Sequence, residues 1–91
     1  LDAHAHTLGT LLARAPVLPV IALERLDDAV PLAETLVAAG LPVLEVTLRT
    51  AVALAAIERI AAQVPGAMVG AGTVLTAADL DAVRDAGAAF A

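Results

Sequence analysis

The sequence has no cysteine, no lysine, no tryptophan and no tyrosine, and Phe90 is its only aromatic residue. Without cysteine there are no disulfides and no thiolate metal sites. Without lysine there is no side-chain amine for carbonyl chemistry and no phosphate-binding P-loop. Basic residues are few: five arginines stand against ten acids, for a net charge of −5. No basic patch follows, so nucleic acid is not an expected partner. Long hydrophobic runs are also missing. The longest, such as Leu36–Leu44, are about nine residues, against roughly 18 for a bilayer span, so no membrane partner is expected. The N-terminus has no basic stretch leading into an apolar one, so no signal peptide is expected and a cytoplasmic location is the default.

What is present is aliphatic. The 91 residues suit one small domain, 60% hydrophobic with a mean hydropathy of +0.90. Alanine supplies 24 of the residues, so the core is thinner than that percentage suggests. A domain of this size buries only a modest share of its surface.

Short aliphatic runs alternate with helical patterns. Residues 2–14 read as a helix, with Leu1, Ala5, Leu8 and Leu12 on one face. "PVLPVIAL", 16–23, reads as a strand, although Pro19 cannot donate to a ladder. Asp27 or Asp28 is the expected cap of a helix running to about Ala39, with Pro31 in its first turn and Gly40 as its stop. "PVLEVTL", 42–48, is the next strand. Thr50 is the expected cap of a helix to about Val64, ended by Pro65-Gly66. "AMVGAG", 67–72, is the third strand. Thr76, with Asp79 three residues on, reads as a capping box for a helix to about Ala86, stopped by Gly87. "AAFA", 88–91, reads as the start of a fourth strand. Strands alternating with helices at this length predict right-handed βαβ crossovers and a parallel α/β sheet.

One residue breaks the aliphatic pattern. Glu45 stands inside the second strand, where an unpaired buried carboxylate is costly. Side chains alternate along a strand, so Leu44, Val46 and Leu48 share one face and Val43, Glu45, Thr47 and Arg49 share the other. A doubly wound sheet wants both faces apolar. A (β/α)8 barrel presents one face to helices and the other to a lumen, with active sites at the C-terminal ends of the strands. The series Glu45, Thr47, Arg49 fits a polar lumen ladder. Two plainer readings stand beside it. Glu45 and Arg49 can form a structural ion pair, although about 13 Å of extended backbone separates them, or Glu45 lies solvated on an edge.

"GAGTV", 70–74, is the second candidate. Gly70 and Gly72 allow a ligand or a neighbouring backbone to approach closely, and Thr73 opens the following loop. A tight turn explains the same residues. No dinucleotide fingerprint is present, because position 75 is leucine. His4 and His6 do not share a helix face and have no third ligand nearby, so no metal site is expected. Glu24 and Arg25 follow the first strand and read as a solvated loop.

The stretches "PVLPVIAL", "AVPLAETLVAAGLPVLEVTLRT", "AIERIAAQVPGAMVGAGTVLT" and "AGAAFA" together closely resemble the N-terminal part of the KDPG/KHG aldolases, from about residue 8 onward and in one register. "EVTLR" and "GAGTV" at this spacing carry the resemblance. It implies parallel βα units of a (β/α)8 TIM barrel: an N-terminal helix (1–14), three βα units and the start of a fourth strand, with residues 1–91 as the N-terminal half of the domain. It implies a class I aldolase, a lyase that forms a Schiff base through lysine. Such enzymes cleave 2-keto-3-deoxy-6-phosphogluconate to pyruvate and glyceraldehyde 3-phosphate, or 4-hydroxy-2-oxoglutarate to pyruvate and glyoxylate. By the same resemblance Glu45 matches the catalytic acid–base carboxylate, and Arg49 and Thr73 match residues that bind the pyruvoyl carboxylate. The complete enzyme would be a homotrimer acting on a small keto-acid, with no cofactor and no metal. A phosphogalactonate-type aldolase and a non-catalytic half-barrel scaffold are the alternatives.

The missing lysine sets a test. These 91 residues hold the proton-transfer part of the implied site without its nucleophile, and guanidinium stays protonated. The purified 91-residue polypeptide, incubated with pyruvate and borohydride and then weighed by mass spectrometry, is expected to show no reduced adduct mapping to the Glu45 cleft and no aldolase turnover above background. Either signal would overturn this expectation.

Overall fold

The structure is a computed structural model, and it describes residues 18–91. The helix expected over 2–14 lies outside the described residues, as do His4 and His6. Three parallel strands form one sheet in the order β1 (Val20–Ile21), β2 (Val43–Thr47), β3 (Met68–Gly72). Three helices alternate with them: α1 (Ala29–Ala38), α2 (Ala53–Gln63) and α3 (Ala77–Asp85). Among the described residues no helix is long and apolar enough to cross a membrane.

The first strand is much shorter than the aliphatic run that contains it. Pro19 has no N–H to give, and it takes part only as an acceptor: the Glu45 N–H donates to its carbonyl at 2.9 Å. Beyond Ile21, side chains replace the ladder. The Thr47 hydroxyl donates to the Ile21 carbonyl at 3.4 Å, and the Thr50 hydroxyl donates to the Leu23 carbonyl. Thr50 is therefore not the cap expected for α2. It ties the loop after β2 to the end of β1, and Val52 stands at the N-cap position without a capping side chain.

The helix ends show which local signals prevail. Thr76 caps α3 as its spacing predicts, its Oγ1 accepting from the Asp79 N–H at 3.0 Å. The Asp79 carboxylate reaches back to the Leu75 N–H at 3.3 Å, one residue before the usual capping-box donor. Asp28 makes no capping bond, because a 3₁₀ turn at Leu26–Asp28 leads into α1 and already holds Asp28 in helical backbone. Gly40 and Gly87 stop their helices in the left-handed conformation, with φ of 84° and 96°. Gly66 has no such φ. A Cβ there would lie 3.2 Å from the Val37 side chain, so close packing against α1 explains it.

The core lies between the helices and one face of the sheet. Leu44 and Val46 of β2 and Val69 and Ala71 of β3 are buried there, with Ala29 and Ala33 of α1, Ala53, Ala56, Ile57 and Ile60 of α2, and Val83 of α3. Alanine at so many of these positions lets helix backbones sit close to the strands and leaves a few branched side chains to supply most of the buried area. The other face carries Val20 of β1, Val43, Glu45 and Thr47 of β2, and Met68, Gly70 and Gly72 of β3, as the register requires. After α3 the chain turns beside β3. The Ala89 N–H donates to the Val69 carbonyl at 2.8 Å, and the Phe90 carbonyl accepts from the Ala71 N–H at 2.9 Å. These two bonds are offset by one residue from a regular parallel ladder, so the segment follows the path of a fourth strand without regular pairing.

Two positions on α2 test this packing. Ile57 is fully buried and Leu54 is 41% exposed. Ile57→Ala is expected to lower unfolding stability by about 2–5 kcal/mol through lost burial and a residual cavity, whereas Leu54→Ala should stay within about 0.5 kcal/mol. Urea unfolding of the two variants measures the contrast, and equal losses would contradict the face assigned to α2.

Candidate functional site

Arg49 and Thr73 follow the C-terminal ends of β2 and β3, and Glu45 lies midway along β2. Glu45 leaves β2 on the face opposite the helices and is half-buried between buried neighbours Leu44 and Val46. Its register partner is Gly70, but its carboxylate lies against Gly72, two residues further along β3. A Cβ built on Gly72 would fall 2.8 Å from the Glu45 carboxyl carbon and still closer to Oε2. Gly70 serves a different neighbour, since a Cβ there would penetrate the Phe90 ring. The close approaches that these glycines permit are thus made by side chains rather than by a backbone.

Arg49 lies two residues past the end of β2, in the turn before α2, and is exposed. Among the described residues neither Glu45 nor Arg49 takes part in an ion pair; the pairs present are Arg59–Asp27 at 3.5 Å, Arg84–Asp81 at 3.2 Å and Arg84–Asp85 at 3.9 Å, all at the surface. The structural Glu45–Arg49 pair is therefore absent, and among the described residues neither side chain has an ion-pair partner. Glu24 and Arg25 lie exposed in the loop after β1. No group of three or more His, Asp or Glu side chains among the described residues is placed to hold a metal ion.

Thr73 immediately follows β3 and is exposed. Its φ is 59°, and it is the one non-glycine residue among those described with a positive φ. For a β-branched residue this conformation is strained, at a cost of order 1–3 kcal/mol, and such strain gathers at ligand-binding sites. The loop holding it is short and tied at both ends. The Leu48 N–H donates to the Gly72 carbonyl at 2.9 Å on one side, and the Thr76 cap fixes the other. A hydroxyl and a guanidinium are groups that can hydrogen-bond a carboxylate, and a carboxylate is a group that can accept and return a proton. The role of Gly72 as the contact surface of Glu45 escaped sequence reasoning, because it depends on the register between two strands.

The family described as KDPG and KHG aldolase matches residues 8–91. The chain is 55% identical over 83 residues to the 2-dehydro-3-deoxy-phosphogluconate aldolase of Zymomonas mobilis, covering 91% of the chain and 39% of that protein. It is 55% identical over 82 residues to the KHG/KDPG aldolase of Escherichia coli, covering 90% of the chain and 38% of that protein. Among solved structures, the Zymomonas mobilis aldolase with 3-phosphoglycerate superposes with a TM-score of 0.79 at 54% identity, over 90% of this chain and 39% of that one. The KDPG aldolase of Legionella pneumophila, with pyruvate captured as a covalent carbinolamine intermediate, gives a TM-score of 0.78 at 50% identity, over 88% and 39%. The chain thus spans about two-fifths of the length of these relatives, and its parallel βα units are those of their TIM-barrel fold.

The strain at Thr73 is measurable. Thr73→Gly removes a cost of order 1–3 kcal/mol and adds about 0.5–1 kcal/mol of backbone entropy. A net gain of about 1 kcal/mol, a rise of roughly 4–8 °C in Tm for a domain of this size, is expected by differential scanning calorimetry. A lower Tm would show that the hydroxyl or methyl of Thr73 contributes more than its backbone costs.

Proposed function

Since the chain belongs to the KDPG and KHG aldolase family, we propose that residues 1–91 form the N-terminal half of a (β/α)8 barrel and carry the proton-transfer and carboxylate-binding part of a class I aldolase site. The observation that carries this reading is half-buried Glu45 in β2, on the face opposite the helices, with no ion-pair partner among the described residues. The Legionella pneumophila relative holds pyruvate as a carbinolamine, a carbon bearing both a hydroxyl and an amine nitrogen. Forming it requires a proton to reach the former carbonyl oxygen and another to leave the nitrogen. Losing water from it requires a proton on the departing hydroxyl. Cleavage of the aldol carbon–carbon bond requires removal of a proton from the substrate's hydroxyl. One carboxylate able to accept and return a proton serves all of these steps.

Arg49 supplies a planar fork matched to the pyruvoyl carboxylate, and Thr73 adds a hydroxyl donor to the same group. The nucleophilic amine comes from outside these residues, which contain no lysine. The substrate is a 2-keto-4-hydroxy acid: 2-keto-3-deoxy-6-phosphogluconate, giving pyruvate and glyceraldehyde 3-phosphate, or 4-hydroxy-2-oxoglutarate, giving pyruvate and glyoxylate. The full-length enzyme works as a cytoplasmic homotrimer.

Replacing Glu45 tests the assignment. In the full-length enzyme Glu45→Gln keeps the shape of the side chain and removes its basicity. A fall in kcat of about 10²–10⁴-fold is expected in steady-state aldol cleavage, and near-normal turnover would refute the acid–base role.

A further inference from the structure

We infer that Gly72 is a positioning residue for this site: its missing side chain is the seat on which the Glu45 carboxylate rests. The inference rests on the acid–base role proposed for Glu45 and adds what holds that group in place. Three observations carry it. First, the carboxylate lies over Gly72, where any Cβ would overlap Oε2 and stand 2.8 Å from Cδ and 3.2 Å from Cγ. Second, among the described residues the Glu45 side chain has no hydrogen bond or ion pair, so within them its close contact is with β3. Third, the neighbouring positions are taken. Phe90 fills the space over Gly70, the register partner of Glu45, so the side chain cannot lie straight across the sheet. Thr47, the partner of Gly72, donates its hydroxyl toward β1 and away from β3. The carboxylate lies instead over Gly72, two residues further along β3 and next to Thr73, which begins the loop.

The backbone of Gly72 does not itself require glycine, because its φ is not in the left-handed region. The requirement comes from the side chain across the sheet. Alanine at this position forces the carboxylate off β3 by about 1 Å to clear the added methyl group, and a misplacement of that size can cost on the order of 10²-fold in rate.

The experiment is a double-mutant cycle in the full-length enzyme with Gly72→Ala, Glu45→Gln and the pair, read by kcat and by KM for the keto-acid. Gly72→Ala alone is expected to lower kcat by about 10–100-fold with KM changed less. In the Glu45→Gln background the same change is expected to cost less than about threefold, because the group it displaces no longer transfers protons. Equal losses in both backgrounds, or wild-type kcat for Gly72→Ala, would overturn the inference. Near-normal turnover of Glu45→Gln alone would instead refute the acid–base role beneath it, so the two failures are distinct. If Gly72→Ala fails to fold, the Glu45→Ala/Gly72→Ala pair decides. With the carboxylate removed, the added methyl is expected to be accommodated and the pair to melt within a few degrees of Glu45→Ala. A pair that still fails to fold would show that Gly72 serves the backbone and not Glu45.

Discussion

Successive side chains of β2 leave the sheet on opposite faces, and the remaining features of the molecule follow from that alternation. Leu44 and Val46 go to the helices and are fully buried, so β2 cannot slip by one residue without bringing Glu45 into the core and its neighbours out of it. The cost of such a slip, an unpaired carboxylate among aliphatic groups together with two exposed branched side chains, amounts to several kcal/mol. Register along β2 then fixes register along β3, and with it the alignment of Glu45 and Thr47 with Gly70 and Gly72. The same alternation that builds the core therefore aims the polar residues.

The core achieves this with small residues. Alanines at 29, 33, 53 and 56 bring the helices close to the sheet and to one another, leaving Leu44, Val46, Ile57, Ile60, Val69 and Val83 as the largest fully buried side chains. Close approach carries over to glycines that seat a neighbour's side chain: Gly66 against Val37, Gly87 against Ala61. A core built this way depends on backbone proximity, and each branched residue in it carries a large share of the burial.

Much of the arrangement was legible in the sequence, for physical reasons that can be named. Period-two alternation in "PVLEVTL" separates Glu45 from the core residues, and the Thr76–Asp79 spacing marks a helix start, because both signals are local and nothing distant competes with them. Other features depend on residues far apart in the chain. Thr50 looks like a cap until the carbonyl of Leu23 takes its hydroxyl. Asp28 looks like a cap until the preceding 3₁₀ turn supplies the helix entry. Within the described part of the run 16–23, residues 18–23, only two residues form a strand, with Pro19 serving as an acceptor alone and threonine hydroxyls serving where a ladder would. In "GAGTV" the two glycines look alike, yet one faces an aromatic ring and the other a carboxylate. That difference belongs to β3's neighbours on either side and has no trace in the five residues themselves.

The loop from Thr73 to Thr76 spans only four residues between β3 and α3, with a strained backbone at its start and a side-chain cap at its end. Fixing a residue's backbone costs about 1–2 kcal/mol in conformational entropy, whenever it happens. Here that freedom is surrendered on folding. A ligand that bound at Thr73 would meet a loop already ordered, and its association would draw little ordering entropy from the protein. Selectivity there would then come from fit to a pre-ordered loop, with ligands that need it to rearrange binding more weakly.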